Sequence, residues 1–251
     1  MWFGAWGWGP YTGGMNSLTG ERRALSAAIL VFYAFMFLLV AFQPPMPGWG
    51  ACFSGMATVY GLAFFGLVAG YFWARWYSIG LGISGAISAG FSLWQIGPEP
   101  ALLFYGGSHA AIALMLWGTG MAKIFDGRKE WREKFHLDQA ATDRLGKAVV
   151  RMAVSLPYMV MYALAPKDDT GSLILGLGAL LFAGWGFKNV LRMRSVGLVA
   201  YAGSAFLLLG SLVRASASNQ TFLWVYGTSA LVAATAALAL FAKPTIAFLR
   251  D

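Results

Sequence analysis

Eight separate stretches of this chain run for about 20 residues with almost no formal charge, and that feature leaves few folds open. A helix rises 1.5 Å per residue, so about 20 apolar residues cross roughly 30 Å of hydrocarbon. The runs cover residues 24–42, 51–70, 76–96, 101–122, 148–165, 171–187, 195–213 and 221–242. Seven hold no Asp, Glu, Lys or Arg, and the fifth holds Arg151 near its start, where a long side chain snorkels to the headgroups. In lipid the backbone must satisfy its own hydrogen bonds, so such continuous runs read as helices; barrels alternate instead. The expected fold is an all-α integral membrane protein with eight transmembrane helices.

Composition agrees. The chain is 59% hydrophobic and 11% charged, against about 25% charged in a soluble domain. Disordered, coiled-coil and water-soluble classes are excluded. Cys52 stands alone, which excludes an internal disulfide and a multi-cysteine metal site. Two histidines, His109 and His136, argue against a bis-histidine haem, and a zinc site normally takes three or four protein ligands. No metal and no cofactor is expected.

The basic residues set an orientation. With a cytoplasmic N-terminus and eight crossings, sixteen of the 18 Lys and Arg residues fall inside and two, Lys167 and Arg214, outside. Both termini are then cytoplasmic, and the most natural setting is the cell membrane of a bacterium, its inner membrane. The net charge of +8 is thus a topology signal rather than a nucleic-acid footprint. Trp49, Trp94 and Trp224 fall at outer ends, and Trp73, Trp76 and Trp185 at inner ends, as in an aromatic belt. No charged region precedes Glu21, so no cleaved leader is expected.

Two halves of the chain share short matches. Arg75, Ser78, Gly80 and Leu81 recur as Arg192, Ser195, Gly197 and Leu198; Tyr105, Gly106 and Ser108 as Tyr226, Gly227 and Ser229; Ala122-Lys123 as Ala242-Lys243. The order and near-constant spacing predict two parallel four-helix repeats, over 21–124 and 148–251. The competing reading is that the first motif describes any helix entering from the cytoplasm. A Trp- and Gly-rich segment over 1–20 precedes them as an irregular interfacial stretch. Between them, 125–147 reads as a cytoplasmic amphipathic linker on anionic headgroups. Membrane lipids are the expected partners, and either residues 1–14 or the 125–147 loop offers a surface for a protein partner; no nucleic acid is expected.

Small residues mark helix packing. In the second run Ser54, Thr58 and Gly61 share one face and Gly66 and Gly70 lie on another, which predicts neighbours on both sides. The third run carries Ser84, Ser88, Ser92 and Gln95, read either as packing or as the polar lining of a cavity. Gly176 and Gly178 lie inside an apolar run with no preceding strand, so they are not a nucleotide loop.

Ionisable groups inside a membrane are functional candidates. His109 is the one near mid-span, with Tyr105 one turn earlier and Ser108 beside it; the repeat places Tyr226 and Ser229 opposite Tyr105 and Ser108, and Ala230 opposite His109. The bland reading is a neutral imidazole bonded to a neighbouring helix; the sharper one is ligand contact or proton handling. No carboxylate pair, nucleophile set or phosphate loop accompanies it, so the balance is against an enzyme and no catalytic residue is assigned. The leading function is a non-catalytic structural or assembly component of a membrane complex, with room to hold a lipid, quinone or pigment. The alternatives are a transporter or channel for a small neutral or weakly polar solute, and a membrane enzyme using His109 and Tyr105 on a lipid-soluble substrate.

Overall fold

The computed structural model of the chain describes residues 17–45, 47–125, 139–218 and 234–235. Among them are eight helices and no strand. They are α1 Ser17–Phe42, α2 Gly50–Ala69, α3 Ala74–Ile96, α4 Pro100–Leu116, α5 Thr119–Phe125, α6 Gln139–Leu164, α7 Thr170–Leu191 and α8 Val196–Ser218. Six of these (α1, α2, α3, α6, α7 and α8) are long and apolar enough to cross a membrane, and the bent pair α4–α5 makes a seventh if it counts as one span. The chain is therefore a multi-pass, all-helical membrane protein by length and composition. Most of the eighth apolar run, 221–242, lies outside the described residues, though Ala234 is buried in the common core.

Helix bounds depart most from the apolar runs at three places, the first being α1, which starts at Ser17 before its run. The fourth run, 101–122, is broken: α4 stops at Leu116 and α5 leaves at 73°. Gly118, at φ +108°, supplies the left-handed turn. The carbonyls freed by the break are capped from other helices. Arg22 Nη2 donates to Leu114 O and Trp117 O at 3.1 and 2.7 Å, and Arg75 Nη1 to Leu116 O at 3.4 Å. Cations at a helix C-terminus also oppose its dipole. The fifth run is longer than expected: α6 starts at Gln139, so 139–147 continues the spanning helix, while 126–138 lies outside the described residues. Leu145 and Gly146 are buried there, and a Cβ at Gly146 would meet the Trp76 indole at 2.7 Å.

Contacts between helix ends sort them into two ends of the bundle. At one end Arg23 caps α2 through Leu67 O and Val68 O, Arg22 and Arg75 cap α4, and Trp73 at the start of α3 meets Phe187 near the end of α7. At the other, Gly48 lies against Pro166, Trp49 and Cys52 pack on Ala165, and Asp169 pairs with Arg214. Lys123, Lys188, Arg192 and Arg194 join Arg22, Arg23 and Arg75 at the first end, with Arg144 and Lys147 in the first turns of α6; Arg151 lies farther along α6. Lys167 and Arg214 occupy the second.

Glycines set the closest crossings. Gly186 of α7 and Gly197 of α8 face each other, and a Cβ on Gly186 would sit 2.8 Å from Gly197 O. Gly80 meets Ala153 and Val150 of α6, and Gly55 of α2 meets Val160 and Leu164 of α6. The other small face of α2 does not pack: Ser54 and Thr58 are exposed, and Thr58 bonds back to Ser54 O. α2 still has neighbours on more than one side, reached through other residues: Tyr60 meets Tyr33 of α1, and Gly55 meets α6. The tryptophans divide. Trp94, Trp117 and Trp185 are exposed, whereas Trp49 and Trp76 are buried against protein.

Candidate functional site

His109 is fully buried where α1, α2, α3 and α4 meet. Room for its ring comes from α3. A Cβ on Gly85 would overlap the imidazole itself, and one on Gly82 would lie 2.6 Å from His109 O. Tyr33 of α1, Tyr60 of α2 and Tyr105 of α4 surround the ring, with centroids 4.5, 5.6 and 4.1 Å away.

The hydrogen bonds fix the tautomer. His109 Nδ1 lies 2.8 Å from Tyr105 O, a carbonyl that only accepts, so Nδ1 carries the hydrogen. In the neutral ring Nε2 is then an acceptor, and the Tyr60 hydroxyl donates to it at 2.7 Å. Beside it Tyr33 Oη and Ser108 Oγ are 2.6 Å apart, and Ser108 also donates to Tyr105 O at 2.9 Å. Both ring nitrogens are thus committed to protein partners, with the ring fully buried and Tyr105 and Ser108 half-buried beside it. Interhelical bonds of this kind are worth about 0.6 kcal/mol each on average in a membrane.

The serine face of α3 is only partly a set. Ser84 is buried, and its carbonyl accepts from Ser88 Oγ and from Tyr158 Oη of α6, both at 3.0 Å. Ser88 Oγ and Tyr158 Oη are 2.8 Å apart. Ser92 is half-buried, and Gln95 is exposed near the helix end. Tyr105, Ser108 and His109 therefore form one cluster, Ser84 and Ser88 form a second with Tyr158, and Ser92 and Gln95 join neither. Tyr226 and Ser229 lie outside the described residues.

Sequence reasoning missed Tyr33, Tyr60, Tyr158, Gly82 and Gly85. A signal existed for the tyrosines. Tyr33 is buried while its neighbour Phe32 is half exposed, and Tyr60, Tyr77, Tyr162 and Tyr201 are also buried. A tyrosine within an apolar run turns inward because its hydroxyl has no partner in lipid. Further along, Tyr201 Oη donates to Met152 O at 2.8 Å and lies 2.7 Å from Ser155 Oγ. Tyr162 Oη donates to Ser211 Oγ at 3.3 Å, and Ser211 to Ser172 O at 2.7 Å. Among the described residues no group of three or more His, Cys, Asp or Glu side chains is placed to hold a metal.

The two cations at the second end have local partners. Lys167 Nζ donates to Tyr162 O, Ala163 O and Ala165 O, capping α6, and sits 4.6 Å from the Tyr162 ring centroid. Burial pushes its ammonium down to about 8. Asp169 caps α7 by accepting from Ser172 N at 2.8 Å and Ser172 Oγ at 2.9 Å. Arg214 Nε donates to Asp169 at 2.6 Å, and this bond, with those from Ser172, holds the carboxyl well below the usual carboxylate range.

No family model matches the chain, and no curated protein or solved structure matches it either.

Proposed function

We propose that this protein is a non-catalytic structural or assembly component of a membrane complex, its intramembrane polar groups spent on joining its own helices. The observation that carries this reading is His109, fully buried with both nitrogens bonded to protein. General acid–base work needs a ring within reach of a substrate proton, and a solute path needs polar groups that face water. Ser84 and Ser88 support the same reading, because α6 engages them through Tyr158.

The topology we assign has eight crossings with both termini cytoplasmic, in a bacterial inner membrane. Its support is the crowding of described basic residues at one end of the bundle. We also assign two parallel four-helix units. Its support, beyond the sequence matches, is that α2 and α7 end in the same turn. Gly70 N donates to Leu67 O and Tyr71 N to Gly66 O; Met193 N donates to Val190 O and Arg194 N to Asn189 O.

Cysteine labelling tests the role. In a Cys52→Ala background, Ser84→Cys and Ser88→Cys should resist a water-soluble maleimide, and mild extraction should bring the chain out in a complex larger than its own 27.0 kDa. Labelling at both positions, with solute uptake by proteoliposomes holding this chain alone, would replace the assembly role by transport. Reporter tags after Pro100 and after Gly127 should report opposite compartments; a shared compartment would overturn the topology.

A further inference from the structure

We infer that the corner between α1 and the broken α4–α5 pair binds the phosphate of an anionic phospholipid, whose acyl chain lies along the seam between α1 and α4. The corner is built from charge first. Arg22 and Arg75 both reach the last turn of α4, and α5 brings exposed Lys123 to the same end of the bundle. Gly120 of α5 faces Thr19, one turn before Arg22, which holds α5 beside the start of α1. Both bonds of Arg22 come from Nη2, so Nε and Nη1 have no acceptor among the described residues. A guanidinium with three unspent N–H donors matches phosphate oxygens.

Depth and greasiness then select a lipid over a free ion. Trp117, 64% exposed, stands at the corner, where an indole marks headgroup level. Below it Leu25 and Phe32, seven residues apart on α1, share one face and are both exposed, with exposed Leu18 on the same face one turn above Arg22. Leu114 and Phe104 are exposed on α4, and the Phe32 and Phe104 rings meet edge-on at 6.3 Å. A cationic corner above a continuous apolar seam is the shape of a phospholipid: charge at the interface, hydrocarbon beneath. This site rests on the membrane-embedded reading alone and not on the assembly role, so its failure leaves that role standing.

The test uses the purified, delipidated full-length protein and native mass spectrometry. It is titrated with phosphatidylglycerol or with phosphatidylcholine of identical chains. Phosphatidylglycerol should be retained in preference, and Arg22→Gln should cut that preference about fivefold, as expected for one interfacial charge. Arg22 also caps α4, so Lys123→Gln gives the second reading: a drop of similar size with unchanged thermal stability. Equal retention of the two lipids, or an unchanged preference in both variants, would overturn the site. Displacement by excess inorganic phosphate would make it a phosphate site and not a lipid site. A benzophenone placed at Leu25 should cross-link to lipid; cross-linking into residues 1–16 would assign the seam to the chain's own N-terminal segment and overturn the proposal.

Discussion

The four helices α1–α4 and the three helices α6–α8 share sequence matches yet use their polar atoms differently. In the first group three tyrosine side chains and Ser108 converge on one buried point around His109. In the second the hydroxyls act in separate small sets, Tyr201 with Ser155 and Tyr162 with Ser211. The matched glycines diverge too. Gly80 opens onto α6, whereas Gly197 opens onto α7. Even the motif sits differently: Arg75 and Ser78 lie inside α3, whereas Arg192 and Ser195 lie in the turn before α8. A shared motif sets roughly where a helix enters, and the neighbours then decide what each residue touches.

The largest test of this contrast is Gly186→Val. Its Cβ meets the backbone of α8 at Gly197 O and Tyr201 N, which no rotamer change relieves, so a loss of about 3 kcal/mol or more is expected and folded protein should fall away in fluorescence-detected size exclusion. Next comes His109→Ala. It leaves a cavity and removes the imidazole acceptor of the Tyr60 hydroxyl, for about 2–4 kcal/mol by thermal unfolding in detergent. Tyr201→Phe removes a donor from a smaller set and should cost about 1 kcal/mol. Equal losses for His109→Ala and Tyr201→Phe would erase the distinction between one convergent cluster and separate sets.

Met193→Gly sharpens the comparison from the other side. Met193 holds φ +59°, where α2 uses Gly70 at φ +72°. A left-handed residue other than glycine costs about 1 kcal/mol, so the variant should gain up to that amount, less the packing of the Met193 side chain. The smallest effect is the Asp169–Arg214 pair. Because the folded pKa of Asp169 lies below its unfolded value, its contribution is intact above about pH 4 and is lost as pH falls through the lowered folded value. The melting-temperature gap between wild type and Asp169→Asn should therefore narrow below that pH; a constant gap would detach the pair from stability.

The all-helical membrane class and six of the eight expected spans were legible because hydrocarbon thickness imposes run length directly. The break at Trp117–Gly118 was not, since it falls inside an apolar run and is held by arginines from α1 and α3. Arg22 and Arg23 read from sequence as orientation signals, and their capping of α4 and α2 depends on which helix ends meet. His109, Tyr105 and Ser108 were visible as polar residues one turn or less apart. Their partners Tyr33 and Tyr60 sit on other helices, and the space for the ring is made by Gly82 and Gly85, while the adjacent serines carried the more obvious polar pattern.

The turn joining α6 to α7 carries a consequence for biogenesis. Lys167 and Arg214 sit with Asp168 and Asp169 at that end, two positive charges against two negative. A hairpin of α6 and α7 pushed through the bilayer together with the tip of α8 would move no net charge across the membrane voltage. At about 2.3 kcal/mol per elementary charge for 100 mV, that balance spares insertion an electrical load.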